Sequence, residues 1–332
     1  MILQLEHNTK SKDILSLTET ITGLGYKSTH VKTQRENYLI CIGNKEIDIR
    51  LLGHLPIVKD IHRVSDQYKL VSRKWKTNYT SINLGDDVYI GGKEKTIIAG
   101  PCSIESEDQA KSIAEHLSLQ GIKIMRGGVF KPRSSPYAFR GLGLEGMKLF
   151  HNACKKRGIK IITEVMQASQ IEELYPYIDI FQVGARNSQN YNLLDALGES
   201  DKPVMIKRGI SGSIDELLYS AEYVFSAGNE DVILCERGIR TFETSYRNTF
   251  DINAIQVLKD KTHLPVLADP SHGVGIRDYV PGIALAAIVA GADGVIYEVH
   301  PSPEKALSDG QQTLNFQESE ALIQKIKVLE KL

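Results

Sequence analysis

The sequence predicts a (β/α)8 barrel preceded by a small α/β module. Eight short apolar runs in residues 93–332 are interpreted as strands, and they cover residues 96–99, 123–125, 159–163, 180–184, 204–206, 232–235, 266–268 and 295–297. Between the runs, apolar residues recur at helical spacing, as Ala110, Ile113, Ala114 and Leu117 do. Strands that alternate with helices form parallel βα units, and eight units in about 240 residues match the size of a (β/α)8 barrel.

A second observation is that each run leads into residues suited to binding an anion or a metal ion. In chain order these residues are Cys102, Arg126, Glu164, Arg186, Lys207, Glu236 with Arg237, Asp269 with His272, and Glu298. In a (β/α)8 barrel the C-terminal strand ends converge on one mouth, where active sites lie. An open doubly wound sheet is the alternative architecture, but it requires a switch point in the strand order. The sequence therefore predicts one polar, cation-rich site built from all parts of the barrel.

The first 70 residues predict a separate ferredoxin-like module of the βαββαβ type. Its strands are expected over residues 2–5, 26–32, 38–42 and 61–64, and its helices over residues 11–24 and 46–52. Ser11 suits a helix N-cap, and Gly43-Asn44 marks a turn. Because this module occurs in proteins of many functions, it does not by itself predict one.

Residues 71–92 predict a linker followed by a β-hairpin, and the barrel is expected over residues 93–332. The hairpin strands, residues 81–84 and 88–90, flank the turn residues Gly85-Asp86-Asp87. We expect this hairpin to cover the floor of the barrel.

Composition excludes several kinds of partner. The net charge of −1, with mixed signs, gives no reason to expect binding to nucleic acid or to a membrane surface. No apolar run approaches the roughly 20 residues of a membrane span, and the N-terminus lacks the basic and apolar regions of a signal peptide. Cys41, Cys102, Cys154 and Cys235 lie far apart without CxxC spacing, so no disulfide framework is expected. We therefore expect a cytoplasmic protein.

Four residues near the ends of the first, seventh and eighth barrel strands form a candidate metal site. Cys102, His272, Glu298 and Asp309 offer a thiolate, an imidazole and two carboxylates. Closure of the barrel places these three units side by side. Taken singly, Cys102 could be a buried small residue, His272 a hydrogen-bonded loop residue and Asp309 a helix cap. Together they suit one divalent ion such as Mn²⁺, Fe²⁺, Co²⁺ or Zn²⁺, with room for a water or substrate oxygen.

Cationic residues at or just past the strand ends predict substrates with several anionic groups. There are six of them: Arg126, Lys131, Arg133, Arg186, Lys207 and Arg237. Arginine matches phosphate and carboxylate oxygens in pairs, and six cations exceed the need of one phosphate. Any single arginine could instead be a solvated surface residue. The prolines in residues 131–136 (KPRSSP) stiffen one of the loops involved.

Three alternative functions were weighed. Residues 141–146 (GLGLEG) match the GxGxxG dinucleotide pattern, but no strand runs directly into the first glycine. Lys207 could be the Schiff-base lysine of an aldolase, although the neighbouring arginines favour a charged role. The barrel could also be a catalytically silent scaffold for the N-terminal module, a reading that the intact metal and cation sets disfavour.

Seven short segments carry a more specific signal. They are residues 99–105 (AGPCSIE), 126–128 (RGG), 131–134 (KPRS), 184–187 (GARN), 206–209 (IKRG), 268–272 (ADPSH) and 308–310 (SDG). Together they closely resemble the 3-deoxy-D-arabino-heptulosonate 7-phosphate (DAHP) synthase family, and the similarity extends from Lys93 to the C-terminus. Residues 1–70 also resemble the ferredoxin-like, ACT-like regulatory extension of the type I-beta branch of this family.

The resemblance implies an activity and its control. The reaction is the metal-dependent condensation of phosphoenolpyruvate with D-erythrose 4-phosphate, the first step of the shikimate pathway of aromatic amino acid biosynthesis. The resemblance also implies a homotetramer, and inhibition by tyrosine or phenylalanine through the N-terminal module.

The same resemblance implies residue roles. The implied metal ligands are Cys102, His272, Glu298 and Asp309. The implied phosphoenolpyruvate clamp consists of Arg126, Lys131, Arg186, Lys207, Arg237 and the backbone N–H of Ala185. Arg133 and Ser134 resemble the phosphate end of the erythrose 4-phosphate site, and the substrate-binding set also includes Pro132 and Asp269.

Proton-transfer roles are inferred only from positions at adjacent strand ends. We expect Lys131 to deliver a proton to the aldehyde oxygen, and Glu164 with Lys207 to orient the attacking water. The related 3-deoxy-D-manno-octulosonate 8-phosphate synthases typically carry an Ala-Asn pair between the lysine and the arginine, where this chain has Pro132 alone. This difference disfavours a five-carbon aldehyde as the substrate.

Overall fold

The computed structural model describes residues 1–43, 47–131, 135 and 137–331. Within these residues it contains an N-terminal four-stranded sheet, a two-stranded hairpin and a closed barrel of eight parallel strands with helices around it. This architecture confirms the predicted fold class. No helix in the described part of the chain is both long and apolar enough to cross a membrane.

The N-terminal sheet is antiparallel and is covered on both faces. Its elements are β1 (Ile2–Leu5), α1 (Ser11–Gly23), β2 (Lys27–Lys32), β3 (Asn37–Ile42), α2 (Arg50–Gly53) and β4 (Val58–His62), with strand order β2-β3-β1-β4. Alternate side chains of β3 point to opposite faces. Leu39 and Cys41 pack with α1 and α2, whereas Tyr38 and Ile40 join the core of the barrel. The sheet therefore lies between its own helices and the barrel.

Two predicted elements of this module differ from the structure. The predicted helix over residues 46–52 is too long, because α2 covers only Arg50–Gly53; Glu46 itself lies outside the described residues. The predicted strand over residues 61–64 begins too late, because β4 pairs with β1 from Val58 to His62. Val64 is buried in the core shared with the barrel. Its apolar side chain therefore marks the contact between the two units and not a strand.

The hairpin packs against the N-terminal end of the barrel. It consists of β5 (Ile82–Asn83) and β6 (Tyr89–Ile90). Ile82 and Ile90 are fully buried in one cluster with the inward-facing barrel residues, which include Ile98 and Ile124. An ion pair of 2.8 Å between Asp86 of the turn and Lys160 at the start of a barrel strand adds a polar contact. The opposite, C-terminal end is left for the functional site.

Eight βα units form the barrel. The strands are β7 (Thr96–Gly100), β8 (Ile124–Arg126), β9 (Lys160–Val165), β10 (Ile180–Val183), β11 (Val204–Lys207), β12 (Val232–Glu236), β13 (Val266–Ala268) and β14 (Gly294–Glu298). Pairing of β14 with β7 closes the ring. The helices are α3 (Glu107–Leu119), α4 (Gly143–Lys155), α5 (Ser169–Leu174), α6 (Tyr191–Gly198), α7 (Ile214–Ser226), α8 (Ile252–Lys261), α9 (Pro270–Val274), α10 (Val280–Val289) and α11 (Phe316–Leu329).

The predicted cap Ser11 is instead the first residue of α1, whose N-cap is Lys10, but several other helices begin with a side-chain cap. Ser106, Ser213 and Asn315 precede α3, α7 and α11, and each side chain accepts a hydrogen bond from the backbone N–H three residues later. In α7 and α11 a glutamate returns the bond and completes a capping box. These caps fix where each loop ends and its helix begins.

The segment between the module and the barrel is bound to the barrel along its length. Leu70 is fully buried, and its backbone N–H donates to Glu222 of α7 at 2.9 Å. Its carbonyl accepts from Trp75 Nε1 and from Nε2 of the buried His263, both at 2.8 Å. On the other side of the ring, His263 Nδ1 lies 2.7 Å from Thr80 Oγ1. Because the carbonyl can only accept, Nε2 of His263 carries a proton, and burial lowers the pKa of the ring and favours its neutral form.

The turn between β2 and β3 contacts the loop before β12. Arg35 donates to both carboxylate oxygens of Asp231 at 2.9 and 2.8 Å, and the Thr33 hydroxyl contacts Glu230. The Tyr38 hydroxyl lies 3.4 Å from the same Glu230 carboxylate. The N-terminal module is therefore joined to the barrel by ion pairs as well as by apolar contacts.

Candidate active site

Four predicted ligand residues meet at the C-terminal end of the barrel. Cys102 follows β7, Glu298 ends β14, His272 lies in α9 after β13, and Asp309 lies in the loop after β14. The ligand atoms of Cys102, Glu298 and Asp309 lie within 4.8 Å of one another. The Nε2 atom of His272 lies 3.6 Å from Glu298 Oε1 and 3.8 Å from Asp309 Oδ2. The structure therefore brings all four side chains together.

The loops that carry Cys102 and Asp309 are held against each other. The Cys102 Sγ atom lies 3.3 Å from Asp309 Oδ2, and the hydroxyls of Ser103 and Ser308 are in contact. Asp309 has a φ of 51°, in the left-handed region that residues with a side chain rarely adopt. Such a conformation persists only where the surroundings impose it, and it is common at functional sites.

Asp269 orients two of the predicted site residues from a fully buried position. Its Oδ1 accepts from the His272 backbone N–H at 3.0 Å, while its Oδ2 lies 2.8 Å from His272 Nδ1 and also contacts Lys207 Nζ. Burial favours the neutral acid, but His272 and Lys207 outweigh it and keep the pKa of Asp269 well below its usual range. Since the charged carboxylate only accepts, Nδ1 carries a proton. Burial lowers the pKa of His272, which favours the neutral ring with the Nε2 lone pair facing the other ligands.

The surroundings of the cluster shift the pKa of the thiol and of the Glu298 carboxylate in opposite directions. Burial raises the pKa of the Cys102 thiol to about 11, and the nearby charge of Glu298 acts in the same direction. Lys131 Nζ, 3.1 Å from Sγ, opposes this rise. Burial would also raise the pKa of Glu298, but His272 and Arg126, whose Nη1 lies 2.8 Å from Oε1, hold it below the ordinary value. The thiol therefore keeps its proton until a cation displaces it.

This donor set fits a divalent metal ion. One sulfur, one imidazole nitrogen with its lone pair directed at the cluster, and two carboxylate oxygens suit an ion of borderline softness. These donors come from the ends of three adjacent strands, β13, β14 and β7, and from the segments that follow them. Cys102, Glu298 and Asp309 could supply three of the ligands and His272 the fourth.

A cavity of about 400 Å³ adjoins this cluster and is lined by cations. Five of the predicted cations line it, and two arginines that sequence analysis missed join them: Arg126, Lys131, Arg186, Lys207 and Arg237, with Arg240 and Arg247. The acids Glu164 and Asp309 also line the cavity, as do the amides of Gln182 and Asn248. An excess of fixed cations in a partly enclosed space binds ligands that carry several negative charges.

Glu164 reaches the cavity because Gly184, the residue directly after β10, has no side chain. A Cβ atom on Gly184 would lie 2.1 Å from Glu164 Oε1. The backbone of Gly184 has a φ of −69°, which any residue adopts, so the glycine serves the close approach and not the turn. Gln182 Nε2 lies 3.4 Å from Glu164 Oε2 and holds the carboxylate from one side. Ala185 and Arg186 follow directly and line the same wall.

Several predicted residues are not among the described residues that line the cavity. Pro132, Arg133 and Ser134 lie outside the described residues. Asp269 contacts Lys207 and His272 but is not among the cavity-lining residues. Of the strand-end acids, Glu236 is used in a buried ion pair of 2.9 Å with Arg208 and is unavailable for ligand binding.

The residues that sequence analysis missed lie farther from the strand ends. Arg240, Arg247 and Asn248 belong to the long connection between β12 and α8, whose two arms are joined by the bridge between Ile239 and Thr249. Their signal in the sequence was the three arginines in residues 237–247. A search restricted to the residue after each strand could not find them, because the connection folds back over the mouth.

Comparison with known proteins identifies the family of this chain. A family model described as the DAHP synthetase I family matches residues 72–332. The phospho-2-dehydro-3-deoxyheptonate aldolase of Thermotoga maritima is 44% identical over 330 residues, which are 99% of this chain and 97% of that protein. A crystal structure of phospho-2-dehydro-3-deoxyheptonate aldolase (DAHP synthase) from the same organism superimposes with a TM-score of 0.79 at 43% identity, covering 99% of this chain and 97% of the other.

A second kind of relative covers less of the chain. The 2-dehydro-3-deoxyphosphooctonate aldolase of Desulfatibacillum aliphaticivorans is 32% identical over 271 residues, 76% of this chain and 98% of that protein. The family match spans the whole barrel, and the similarity to the Thermotoga protein extends over the N-terminal module as well. This chain belongs to the DAHP synthetase I family.

Proposed function

We propose that this enzyme condenses phosphoenolpyruvate with D-erythrose 4-phosphate and water to give DAHP and inorganic phosphate. DAHP synthase activity, the first step of the shikimate pathway, follows from family membership. The observation that supports the finer proposal is the cavity lined by seven cations beside the cluster of Cys102, His272, Glu298 and Asp309. Two phosphorylated substrates need such an excess of positive charge, and the aldehyde carbonyl needs a Lewis acid to polarise it.

The proposed phosphoenolpyruvate clamp occupies the wall formed by the ends of β8 and β10 to β12. It consists of Arg126, Lys131, Arg186, Lys207 and Arg237, with the backbone N–H of Ala185. Asp269 would hold Lys207 within this wall through their buried contact. We propose that Arg133 and Ser134 bind the phosphate of erythrose 4-phosphate. Pro132 links them to Lys131 of the clamp.

The chain's own residues bring the reacting atoms together. When bound, a divalent ion, Mn²⁺, Fe²⁺, Co²⁺ or Zn²⁺, would polarise the aldehyde carbonyl. The cation clamp would fix the enol phosphate so that its C3 faces the aldehyde carbon, and the new C–C bond leaves positive charge at C2. Water adds at C2, and cleavage of the C–O bond then releases inorganic phosphate.

Two proton-handling roles are proposed from position. Lys131 Nζ lies 3.1 Å from both the carbonyl oxygen and the Sγ of Cys102, at the border of the cluster and the cavity, where it could donate a proton to the aldehyde oxygen. Glu164 and Lys207 also line the cavity, where they could orient the water that attacks C2.

Two other functions have specific observations for and against them. The similarity to 2-dehydro-3-deoxyphosphooctonate aldolases favours a five-carbon aldose phosphate, but Pro132 replaces the Ala-Asn pair typical of that branch. A lysine-type aldolase would use Lys207 as a neutral nucleophile. The Lys207 side chain instead contacts the charged, fully buried carboxylate of Asp269, a pairing that disfavours the nucleophile role.

A phosphate-release assay tests this proposal. Phosphoenolpyruvate is offered with four-carbon and five-carbon aldose phosphates, with and without a chelator. We expect release only with erythrose 4-phosphate, and its loss on chelation should be reversed by added metal. Preference for the five-carbon sugar would support 2-dehydro-3-deoxyphosphooctonate aldolase activity. Borohydride trapping of a protein–substrate adduct would support a lysine-type aldolase.

We further propose that residues 1–70 regulate the enzyme and that residues 71–92 connect them to the catalytic barrel of residues 93–332. We also propose that the enzyme acts as a homotetramer in the cytoplasm. Tyrosine or phenylalanine bound by paired modules of neighbouring subunits would restrict access to the mouth. Such inhibition requires that the amino acid bind the restricted arrangement more tightly than the open one.

A further inference from the structure

Gln312 is a buried amide with no assigned role in the site. It ends the short helical turn Gly310–Gln312 that follows Asp309, and its side chain is 0% exposed. Its Nε2 donates to Glu298 Oε2 at 2.7 Å, and its Oε1 accepts from Arg247 Nη1 at 2.6 Å. Both ends of the amide are therefore paired, one with a proposed metal ligand and the other with a cavity-lining arginine.

Arg247 determines which way this amide faces. A guanidinium group has donors and no acceptor, so it pairs with the oxygen end of Gln312. The NH2 end is then left for the charged carboxylate of Glu298. A flipped amide would place two donors together and two acceptors together, and a buried site cannot compensate either contact.

The contact fixes the rotation of the Glu298 carboxylate. Gln312 holds Oε2, so that Oε1 is presented to the ligand cluster, where it lies 2.8 Å from Arg126 Nη1 and 3.6 Å from His272 Nε2. Glu298 is fully buried, so water cannot take the place of the amide. Hydrogen-bonding partners of this kind orient metal ligands and affect how tightly the metal binds.

Arg247 is itself held in a defined place. Its backbone N–H donates to Val274 O at 3.0 Å, and its side chain lies against Gly275, where a Cβ would lie 2.4 Å from Arg247 Cβ. Its Nη1 lies 3.8 Å from Asp309 Oδ2, so it also approaches a second proposed ligand. The connection between β12 and α8, which begins with the clamp residue Arg237, is thereby linked to the metal cluster.

We propose that Gln312 is a positioning residue that orients Glu298 for metal binding, and that Arg247 acts through it. The inference rests on the proposed metal-dependent function and adds two residues that neither the sequence signal nor the ligand set identified. It predicts that the long connection after β12 contributes to metal affinity although it contains no ligand.

Cobalt titration of the full-length, metal-stripped protein tests this inference, with Co²⁺ alone as the probe. The near-ultraviolet thiolate-to-cobalt absorption reports binding at Cys102 independently of turnover. We expect Gln312→Met to weaken Co²⁺ binding about 10-fold to 100-fold. Arg247→Met should weaken it less, because Gln312 can then still donate in one of two orientations. Arg247→Lys should restore most of the loss, because lysine is also only a donor.

A double variant and a matched control make the outcome specific. If Arg247 acts through Gln312, the Arg247→Met/Gln312→Met protein should bind Co²⁺ no more weakly than Gln312→Met alone. Gln170→Met, which removes a buried amide from α5, should leave Co²⁺ affinity unchanged. Additive losses, or unaltered affinity in Gln312→Met, would overturn the inference. A wild-type protein without cobalt absorption would instead overturn the proposed metal-dependent function.

Discussion

A single thiol sets the proposed metal site apart from an ordinary pair of buried acids. Cys102 is held beside Asp309 by its loop, and burial keeps it protonated until a cation binds. Cys102→Ala should therefore leave the barrel folded but abolish chelator-reversible activity, since three ligands hold the ion in the wrong geometry. Metal content after dialysis, activity with added metal and the melting temperature measure this outcome.

Cys154 provides the matched control for that experiment. It is also fully buried with a raised pKa, but it lies in α4 beside Met125 and away from the cluster. Cys154→Ala should retain both metal and turnover. Full turnover of Cys102→Ala in metal-free buffer would refute the proposed role of the thiol.

Three of the candidate ligands were predictable because they lie at or shortly after the end of an apolar run. Cys102, His272 and Glu298 stand at positions where a barrel directs side chains into its mouth, so the strand pattern alone brought them together. Asp309 was placed in the set by its position in the loop of the eighth unit, but its left-handed backbone conformation was not predicted. Gln312 gave no sequence signal, and the arginines in residues 237–247 did not show that Arg247 pairs with it, because pairing between distant loops is not encoded by any local pattern.

The end of β10 illustrates how an element shapes the site by leaving space. Gly184 allows the Glu164 carboxylate to lie where a Cβ would otherwise be, at 2.1 Å. Gly184→Ala should keep the backbone, because a φ of −69° suits alanine, but it should push the Glu164 carboxylate away. If Glu164 orients the attacking water, we expect kcat to fall by about 100-fold, the scale expected for a misplacement of about 1 Å.

Steady-state kinetics and melting curves test this prediction against Gly282→Ala. Gly282 lies on the exposed surface of α10 with open space around its Cα, so alanine there should stabilise the helix by up to about 1 kcal/mol without changing kcat. An unchanged kcat in Gly184→Ala would mean that the position of Glu164 is not critical for the reaction.

The bounds of strands and helices were predicted best where burial within the element itself was the only cause of the apolar pattern. The barrel strands are buried on both sides, so continuous apolar runs marked them within one or two residues. The β4 edge strand was misplaced because Val64 is apolar for a different reason, its packing against the barrel. Sequence periodicity records burial but not the partner that causes it.

At the scale of the whole molecule, the junction between the module and the barrel makes stability depend on pH. Burial, and then the charge of Lys76, lowers the pKa of His263 to about 3 from its ordinary value of 6.5. Between these values the unfolded chain binds the proton and the folded protein does not. Protonation of His263 therefore does not affect the free energy of unfolding above about pH 6.5. As the pH falls below this value the free energy of unfolding decreases, by about 2 kcal/mol at pH 5.

Denaturant unfolding at pH 7.5 and pH 5.0 measures this loss. His263→Gln should be less stable than the wild type at pH 7.5, because the bonds to Leu70 and Thr80 are disturbed, but its stability should change less between the two pH values. His7→Gln, at an exposed position, should behave like the wild type. An equal pH dependence in His263→Gln and wild type would assign the effect to other groups.

The N-terminal sheet packs against the barrel, so its removal tests its contribution to stability and its proposed role in regulation. A cut after residue 62 spares Val64, Leu70 and Val71, which are buried in the barrel core, whereas a cut after residue 70 would remove two of them. We expect the shorter chain to melt at a lower temperature, because Phe225 and Glu230 lose their contacts with Tyr38. Its kcat should stay close to that of the full chain, because the cavity residues all follow residue 100.

Inhibition should respond differently from turnover. If tyrosine or phenylalanine acts by binding paired modules, the chain cut after residue 62 should lose all inhibition at concentrations that inhibit the full-length enzyme. Arg35→Ala, which removes the ion pairs to Glu230 and Asp231 while keeping the module, should alter the inhibitory concentration but not abolish inhibition. A truncated enzyme inhibited at an unchanged concentration would place the effector site on the barrel, and the N-terminal module would then need another explanation.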